Sequence, residues 1–276
     1  ICYNNSMKFS IITPTHNRPE ALLRCVSSFL NQNFDHSEII VVNDSPECDY
    51  TIFENNTEII SAINDGKIIY IKNEKNYGKN YSCNLALGSI VAYKSNSHYV
   101  IFLDDDDWLA TNAIAEINDV IESFNEDKSP EDKLKWLVTN RVYDNGKVIT
   151  QNNTKAKNIN GFYKINYFWD CMILKRFYGD ATHIIDFNIA KQANFYKKIK
   201  NGKEWYYFAQ LCPTFYYNDL NSTLTSGYLS EGLTDTLTAK SKIKKIKITL
   251  KNIFILILLR INYLYKKVKS ILTKYL

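Results

Sequence analysis

The feature that most constrains this chain is a regular alternation of β-rich runs and helical patterns over its first 125 residues. Short apolar runs predict strands, and apolar residues that recur at spacings of three and four predict helices. Repeated strand–helix–strand units require a parallel sheet with helices on both faces, so we predict an α/β fold. The predicted strands are 9–13, 38–42, 67–72 and 99–103, and the predicted helices are 19–31, 50–63, 81–93 and 110–124.

The second half of the chain, residues 134–238, is less regular and rich in aromatic residues. It predicts a hairpin around Asp144-Asn145-Gly146, formed by 136–143 and 147–149. Helices are predicted at 184–193 and 204–211, and a strand at 215–224. We therefore divide the chain into an N-terminal extension at 1–6, two halves of one domain at 7–130 and 131–238, and a helical tail at 239–276.

The net charge of +5 is unevenly distributed along the chain. Residues 240–276 contain 11 Lys and Arg and no acidic residue, so residues 1–239 have 23 basic against 29 acidic side chains, a net of −6. An acidic body with a basic tail favours an anionic surface, and no nucleic acid, as partner. The six cysteines form no CxxC pair, so neither a zinc ribbon nor a redox motif is predicted, and we expect reduced thiols in the cytosol.

Polar residues follow each of the four early predicted strands at its carboxyl end. In an open parallel sheet, ligands bind in the crevice at the carboxyl ends of the strands. We therefore predict one polar binding site that is built from four loops. These loops are 13–18, 43–45, 73–79 and 104–107.

The most specific of these loops contains four consecutive aspartates, Asp104 to Asp107. Adjacent carboxylates repel one another unless a cation neutralises them. Carboxylates just after a strand suit a hard divalent cation, which proteins usually share with substrate phosphates. The alternative is a solvated acidic turn that precedes the helix from Ala110. The chain contains no GxGxxG, Walker or GxSxG motif, so the dehydrogenase, P-loop and α/β-hydrolase classes lack their motifs.

Several of these segments resemble the motifs of family 2 glycosyltransferases, which are inverting enzymes of the GT-A fold. Residues 10–18 resemble the first strand and nucleotide loop of that family, and 39–45 resemble its "VVDDGS" segment. Residues 76–84 are similar to its "NGGK…N" loop, and 102–108 to its "FLDxDDW". A weaker resemblance continues at 203–205, which match an "ED" or "TE" pair, and at 228–234, which match "YxxGGLT".

The resemblance implies a GT-A fold with a Rossmann-like, mostly parallel sheet, and it implies roles for individual residues. Residues 7–130 would bind the nucleotide sugar, and residues 131–238 would bind the acceptor. Asp104, Asp106 and Asp107 would hold Mn²⁺ or Mg²⁺. Glu204 would be the general base, and Asp180 would be a reserve base or would orient the acceptor. The implied donor-binding residues are Thr13, Pro14, Thr15, Asn17, Arg18, Asp44, Asn76, Gly78, Lys79, Asp104 and Asp105.

The resulting hypothesis is an inverting glycosyltransferase that uses a nucleotide sugar, by expectation a UDP-sugar. Its acceptor would be a hydroxyl of a glycan or of a lipid-linked molecule in bacterial lipopolysaccharide or capsule synthesis. Two alternatives remain open at this point. One is a nucleotidyltransferase, which also needs Mg²⁺ and carboxylates. The other is a sugar-nucleotide or glycan-binding module without activity.

The tail predicts a basic amphipathic helix, because its apolar residues recur at spacings of three and four and its lysines fall outside that stripe. Such a helix is typical of a membrane-surface anchor, and packing on the domain or in a homo-oligomer is the alternative. The longest uncharged apolar run is short, and no signal peptide is recognised. We therefore expect a cytoplasmic protein on the inner face of the cytoplasmic membrane. The stripe consists of Ile243, Ile246, Leu250, Phe254, Ile257, Ile261, Leu264, Val268, Leu272 and Tyr275.

Overall fold

The fold is built around β1 (Phe9–Thr15), a nearly completely buried strand that pairs in parallel with a neighbour on each side. The computed structural model of the protein describes residues 7–92 and 99–225, together with Ile257, Leu258 and Ile261. Its first half contains α1 (Pro19–Leu30), β2 (Ser37–Asn43), α2 (Thr51–Glu54), α3 (Thr57–Asn64), β3 (Ile68–Lys72), α4 (Lys79–Ala92), β4 (Tyr99–Phe102), β5 (Asp107–Leu109) and α5 (Ala113–Asn125).

The second half adds strands to the same sheet. Its elements are β6 (Trp136–Tyr143), β7 (Gln151–Asn152), β8 (Asn158–Ile159), β9 (Phe162–Asn166), a π-helical segment (Tyr167–Ile173), β10 (Phe177–Tyr178), β11 (Ala181–Asp186), α6 (Phe187–Ala190), α7 (Glu204–Phe208) and β12 (Thr214–Thr225).

One ten-stranded sheet organises the described residues, in the order β3-β2-β1-β4-β11-β6-β12-β9-β8, with β5 paired to β12. Strands β1 to β4 are mutually parallel, and β6 and β12 are parallel to each other. Because β11 is antiparallel to both β4 and β6, β6 and β12 run in the same direction as β1. The sheet is therefore mostly parallel, as predicted.

Helices cover both faces of the sheet, which confirms the predicted layering. The alternating residues of β2 divide between two cores, since Ile39 and Val41 belong to one core and Ile40 and Val42 to the other. The first core packs under α1, α2, α3 and α5. The second packs under α4, α6 and α7. Buried strands with apolar residues on both faces are the expected sequence pattern of such a sheet.

The predicted strands and helices of the first 125 residues are confirmed with small shifts of their ends. The predicted helix 50–63 is divided into α2 and α3, because the Asn56 side chain accepts hydrogen bonds from the backbone of Glu58 and Ile59 and starts a new helix. The hairpin is also confirmed by hydrogen bonds between 141–143 and 147–149.

The predicted helix 184–193 is wrong for its first residues, which form the end of β11. Ile184 and Ile185 are both completely buried, one in each core, because β11 is a central strand covered on both faces. Consecutive apolar residues do not distinguish such a strand from a buried helix. The helix begins only after Asp186, whose carboxylate accepts hydrogen bonds from the backbone of Asn188 and Ile189.

Strand β12 is irregular in its middle, where its pairing with β6 shifts between Tyr217 and Thr223. The Asn140 side chain occupies this irregularity. It donates to Asp219 O at 2.8 Å and to Asn221 Oδ1 at 2.9 Å, and it accepts from the Tyr217 hydroxyl at 2.7 Å. Its bonds satisfy backbone and side-chain groups that the regular ladder leaves unpaired.

The predicted tail and the 1–6 extension lie outside the described residues, except for Ile257, Leu258 and Ile261. These three residues are helical and exposed. Within the described part of the chain, no helix has the length and apolar character needed to cross a membrane.

Candidate active site

A cavity of about 730 Å³ lies at the carboxyl ends of β1, β2 and β4, where the sequence predicts a polar site. Almost all of the predicted site residues line it, although they come from both halves of the chain. The predicted residues on its wall are Pro14, Thr15, Arg18, Asp44, Asn76, Gly78, Lys79, Asp104, Asp105, Asp106, Asp107, Asp180 and Glu204.

Two predicted donor-binding residues do not line the cavity. Thr13 is completely buried inside β1. Asn17 has a φ of 57°, and its backbone N–H donates to Ser45 Oγ at 2.8 Å. Asn17 therefore shapes the loop after β1, and direct contact of either side chain with a ligand in the cavity is not supported.

The aspartate run is neutralised by three cationic side chains from separate parts of the fold, which are Lys79, Arg18 and Arg141. Lys79 Nζ lies 2.7 Å from Asp104 Oδ1. One Arg18 nitrogen lies 3.0 Å from Asp105 and 2.8 Å from Asp106. These pairs explain how consecutive carboxylates persist in a partly buried loop.

Burial and mutual repulsion perturb the pKa values of these carboxyl groups in different directions. Burial, reinforced by Asp104 and Asp106, raises the pKa of Asp105 to about 6, although Arg18 and Thr15 oppose the shift. Burial also raises the pKa of Asp107 to about 7, although the nearby Arg141 opposes the shift. Burial would raise the pKa of Asp104, but the charges of Lys79, Arg141 and Arg18 outweigh that effect, so the pKa of Asp104 is lowered.

Three of the aspartates could hold one divalent cation. Asp104, Asp106 and Asp107 each offer an oxygen, and these oxygens lie within 4.8 Å of one another. The ligands of an octahedral Mg²⁺ with bonds of about 2.1 Å lie at most about 4.2 Å apart. A small side-chain movement would therefore close the three oxygens around one ion, and carboxylate oxygen is the donor that Mg²⁺ and Mn²⁺ prefer.

The third cation, Arg141 on β6, is a cavity residue that the sequence analysis did not identify. A guanidinium nitrogen lies 2.9 Å from Asp107 Oδ2 and 3.9 Å from Asp180 Oδ2. Its side chain is only 13% exposed, so the charge depends on these carboxylates for stabilisation. The one available sequence signal was a charged residue within a predicted strand.

His183 on β11 also lines the cavity without having been predicted. Burial, with the nearby Arg141 charge, lowers the pKa of His183 to about 3, so its imidazole is neutral. Trp136 Nε1 donates to His183 Nδ1 at 3.1 Å, and the imidazole stacks on Phe208 with ring centres 4.0 Å apart. Because Nδ1 accepts this bond, the proton of the neutral imidazole is on Nε2, and His183 adds an uncharged ring to the wall of the cavity.

Asp44 organises the loop that follows β3. Its carboxylate accepts hydrogen bonds from Tyr77 N at 2.8 Å, Gly78 N at 2.6 Å and Asn73 Nδ2 at 2.7 Å. These bonds fix the backbone that leads into α4 and thereby place Lys79 next to Asp104. The carboxylate also lines the cavity, where its role in binding the nucleotide sugar stays a prediction.

The segment before Glu204, residues 196–203, is fastened to the start of α4 by Asn80. The Asn80 amide donates to the carbonyls of Tyr196, Ile199 and Gly202 at 3.1 to 3.2 Å. Gly78 has a φ of 95°, and a Cβ there would collide with the Lys200 backbone. This close packing places Glu204 Oε1 3.9 Å from Lys79 Nζ.

Comparison with known proteins identifies the family. The model of glycosyl transferase family 2 matches residues 10–177, which is more than half of the chain. The chain belongs to glycosyl transferase family 2. Asp180 and Glu204 lie beyond the matched region, so their roles rest on the geometry of the cavity.

Two curated relatives illustrate the sequence similarity. One is the GalNAc(5)-diNAcBac-PP-undecaprenol beta-1,3-glucosyltransferase of Campylobacter jejuni, which is 34% identical over 110 residues, or 39% of this chain and 32% of that protein. The other is the UDP-Glc:alpha-D-GlcNAc-diphosphoundecaprenol beta-1,3-glucosyltransferase WfaP of Escherichia coli, 32% identical over 106 residues, or 38% of each chain. The chain thus spans only about a third of the length of these relatives.

A solved structure shows the same fold over most of the chain. The S. aureus TarS structure in complex with UDP-GlcNAc has a TM-score of 0.64 and 17% identity, and it covers 91% of this chain and 67% of that one. At this level of identity the similarity concerns the fold. It supports the GT-A architecture that the sequence predicts.

The Asn80 contacts generate a prediction. Asn80→Ala should lower the free energy of unfolding by about 1–3 kcal/mol, because three partly buried carbonyls lose a donor. It should reduce any turnover more than nucleotide binding, because the segment before Glu204 loses its attachment. Chemical denaturation, turnover and nucleotide titration measure these effects.

The control for this variant is Asn56→Ala, which removes the cap of α3 at a comparable cost of about 1 kcal/mol. Asn56 does not line the cavity, so turnover should be unchanged. Equal losses of turnover in both variants would contradict a positioning role for Asn80.

Proposed function

We propose that the protein transfers a sugar from a nucleotide-sugar donor to a hydroxyl group of a glycan or lipid-linked acceptor, with inversion at the anomeric carbon. The observation that carries the proposal is the cavity itself. It combines carboxylates that could hold a cation, cationic side chains suited to a diphosphate, and an accessible carboxylate that can act as a base.

The donor would lie with its diphosphate beside the aspartate run. Asp104, Asp106 and Asp107 would hold Mn²⁺ or Mg²⁺, which supplies Lewis-acid stabilisation of the charge on the leaving diphosphate. Lys79 and Arg18 add positive charge at the same end of the cavity and would orient the phosphate oxygens. The nucleoside would extend towards Asp44.

Glu204 is our candidate general base. Its side chain is 41% exposed, so an acceptor hydroxyl can reach it. Glu204 lies near Asp104, because both carboxylates are close to the same ammonium group. Lys79 Nζ lies 2.7 Å from Asp104 and 3.9 Å from Glu204. A hydroxyl that loses its proton to Glu204 would then attack the sugar on the side opposite the diphosphate. Asp180, beside Arg141, is the second candidate for this role.

The substrates are proposed by similarity. WfaP is by its description a transferase for UDP-Glc, and the TarS structure holds UDP-GlcNAc, which together favour a UDP-sugar as donor. Both curated relatives act by their descriptions on undecaprenol-linked acceptors. We therefore propose a lipid-linked or cell-surface glycan as acceptor, in lipopolysaccharide or capsule synthesis on the inner face of the cytoplasmic membrane.

The proposed cation site predicts the behaviour of Asp106→Ala. The variant should lose the Mn²⁺-dependent part of the thermal stabilisation by UDP, because one of the three ligands is removed and binding to the native state weakens. Differential scanning fluorimetry with UDP, with and without Mn²⁺, measures the effect. Asp119→Ala, an exposed acid on α5, is the control and should behave as the wild type. Full retention of the stabilisation by Asp106→Ala would exclude this cation site.

The proposed base predicts a different signature. Glu204→Gln keeps the shape of the side chain but removes proton acceptance, so turnover should fall by about 10²-fold or more while UDP binding stays near that of the wild type. Glu116→Gln on α5 is the matched control. If Glu204→Gln retains its turnover, Asp180→Asn should be the variant that loses it.

The tail is proposed to bind an anionic membrane surface. Its stripe residues Ile257 and Ile261 are exposed. Removing 240–276 leaves a net charge of −6, so the shortened protein should no longer co-sediment with phosphatidylglycerol vesicles but should still bind UDP. Binding of the full chain should weaken as salt rises, because screening shortens the reach of the lysines. Unfolding of the shortened protein, or its retained vesicle binding, would contradict this role.

A further inference from the structure

We infer that a second groove, behind the wall of the active-site cavity, binds an acidic segment of a saccharide. The groove has a volume of about 480 Å³, within the range of ligand sites. We call it the tyrosine–lysine groove, and it is lined by Tyr77, Tyr81, Asn84, Leu85, Lys197, Lys198, Ile199 and Lys200.

Two tyrosines provide a flat amphipathic surface. Tyr77 and Tyr81 stack with ring centres 4.5 Å apart and an interplanar angle of 26°. Tyr81 remains 45% exposed, which is unusual for a large aromatic residue on a helix. A tyrosine ring offers rigid apolar area together with a hydroxyl, and both suit the alternating C–H and O–H groups of a sugar.

The charges of the groove are all positive. Lys197, Lys198 and Lys200 line it, and Lys75 Nζ lies 5.2 Å from the centre of the Tyr77 ring. No acidic side chain lines the groove among the residues that the structure describes, and none of their ion pairs involves Lys197 or Lys198. The body of the protein is otherwise acidic, so this local excess of lysine favours an anionic ligand.

The shape and charge of the groove favour a saccharide over the other anionic surfaces. A membrane-surface segment is typically an amphipathic helix that lies in the plane of the interface, whereas these rings and lysines line a concave groove. The basic tail of this chain carries the same charge as the groove and would be repelled. A phosphate- or carboxylate-bearing sugar satisfies both the tyrosine rings and the ammonium groups.

The groove also has a structural connection with the active-site cavity. Tyr77 and Lys200 line the groove, while their neighbours Gly78 and Asn201 line the cavity. The two segments are joined by a hydrogen bond from Asn80 N to Lys200 O at 2.9 Å. If the proposed transfer occurs, on which this part of the inference rests, the groove would hold a portion of the acceptor away from the reacting hydroxyl.

Isothermal titration calorimetry of the full chain with an oligogalacturonate tests the inference, and a malto-oligosaccharide of equal length is the neutral probe. Tyr81→Ala and Lys198→Glu should each weaken oligogalacturonate binding about tenfold or more, equivalent to about 1.4 kcal/mol. Trp169→Ala, an exposed aromatic outside the groove, and Lys133→Glu, an exposed lysine outside it, are the controls and should bind as the wild type. Both groove residues are exposed, so the variants should fold.

The outcomes separate this inference from the proposed transfer. Unchanged binding in both groove variants would place the oligosaccharide elsewhere, for example on the basic tail, and would overturn the inference. Equal affinity for the neutral probe would also overturn it, as would loss of phosphatidylglycerol vesicle binding in the groove variants without loss of saccharide binding. Absence of UDP binding by the wild type would refute the proposed UDP-sugar donor and leave the groove result standing.

Discussion

The neutralisation of the aspartate run is the interaction on which the architecture of this protein depends. Lys79 comes from the start of α4, Arg18 from the loop before α1, and Arg141 from β6. Each is brought to the carboxylates by a different part of the fold. The charges thus connect the two halves of the chain at the point where the chemistry is proposed to occur, and a buried charge without its partner is strongly destabilising.

The first half of the fold could be predicted because its signals are local. Each buried strand is a short apolar run, and each is followed by a polar loop, so both the sheet and the edge that carries the site are readable along the chain. Asp104 to Asp107 are adjacent in sequence, and no tertiary knowledge is needed to associate them. The resemblance to a known family adds roles to residues that the pattern had already grouped.

The second half could not be predicted equally well, because its residues reach the active site through pairing between strands that are far apart in sequence. Arg141 and His183 reach the cavity only because β11 joins the sheet next to β4 and β6 pairs with β11, and no spacing along the chain encodes that order. The Ile184-Ile185 pair has the same appearance in a central strand as in a helix. Thr13 and Asn17 belong to a motif that was predicted as a unit, but burial of one and the turn geometry of the other keep them off the wall.

The irregular strand β12 limits where this chain can gain or lose residues. Its first part pairs with β9, and its last residues pair with β5, where Thr225 is opposite Asp107. Thr139 and Thr182 hydrogen bond with Ser222 and Thr223 at 2.6 and 2.7 Å. Gaining or losing one residue between Tyr217 and Thr223 would change which side chains meet Asn140, Thr139 and Thr182. Insertions and deletions are therefore expected to accumulate in the surface turns, such as the one at Gly146, while β12 keeps a constant number of residues.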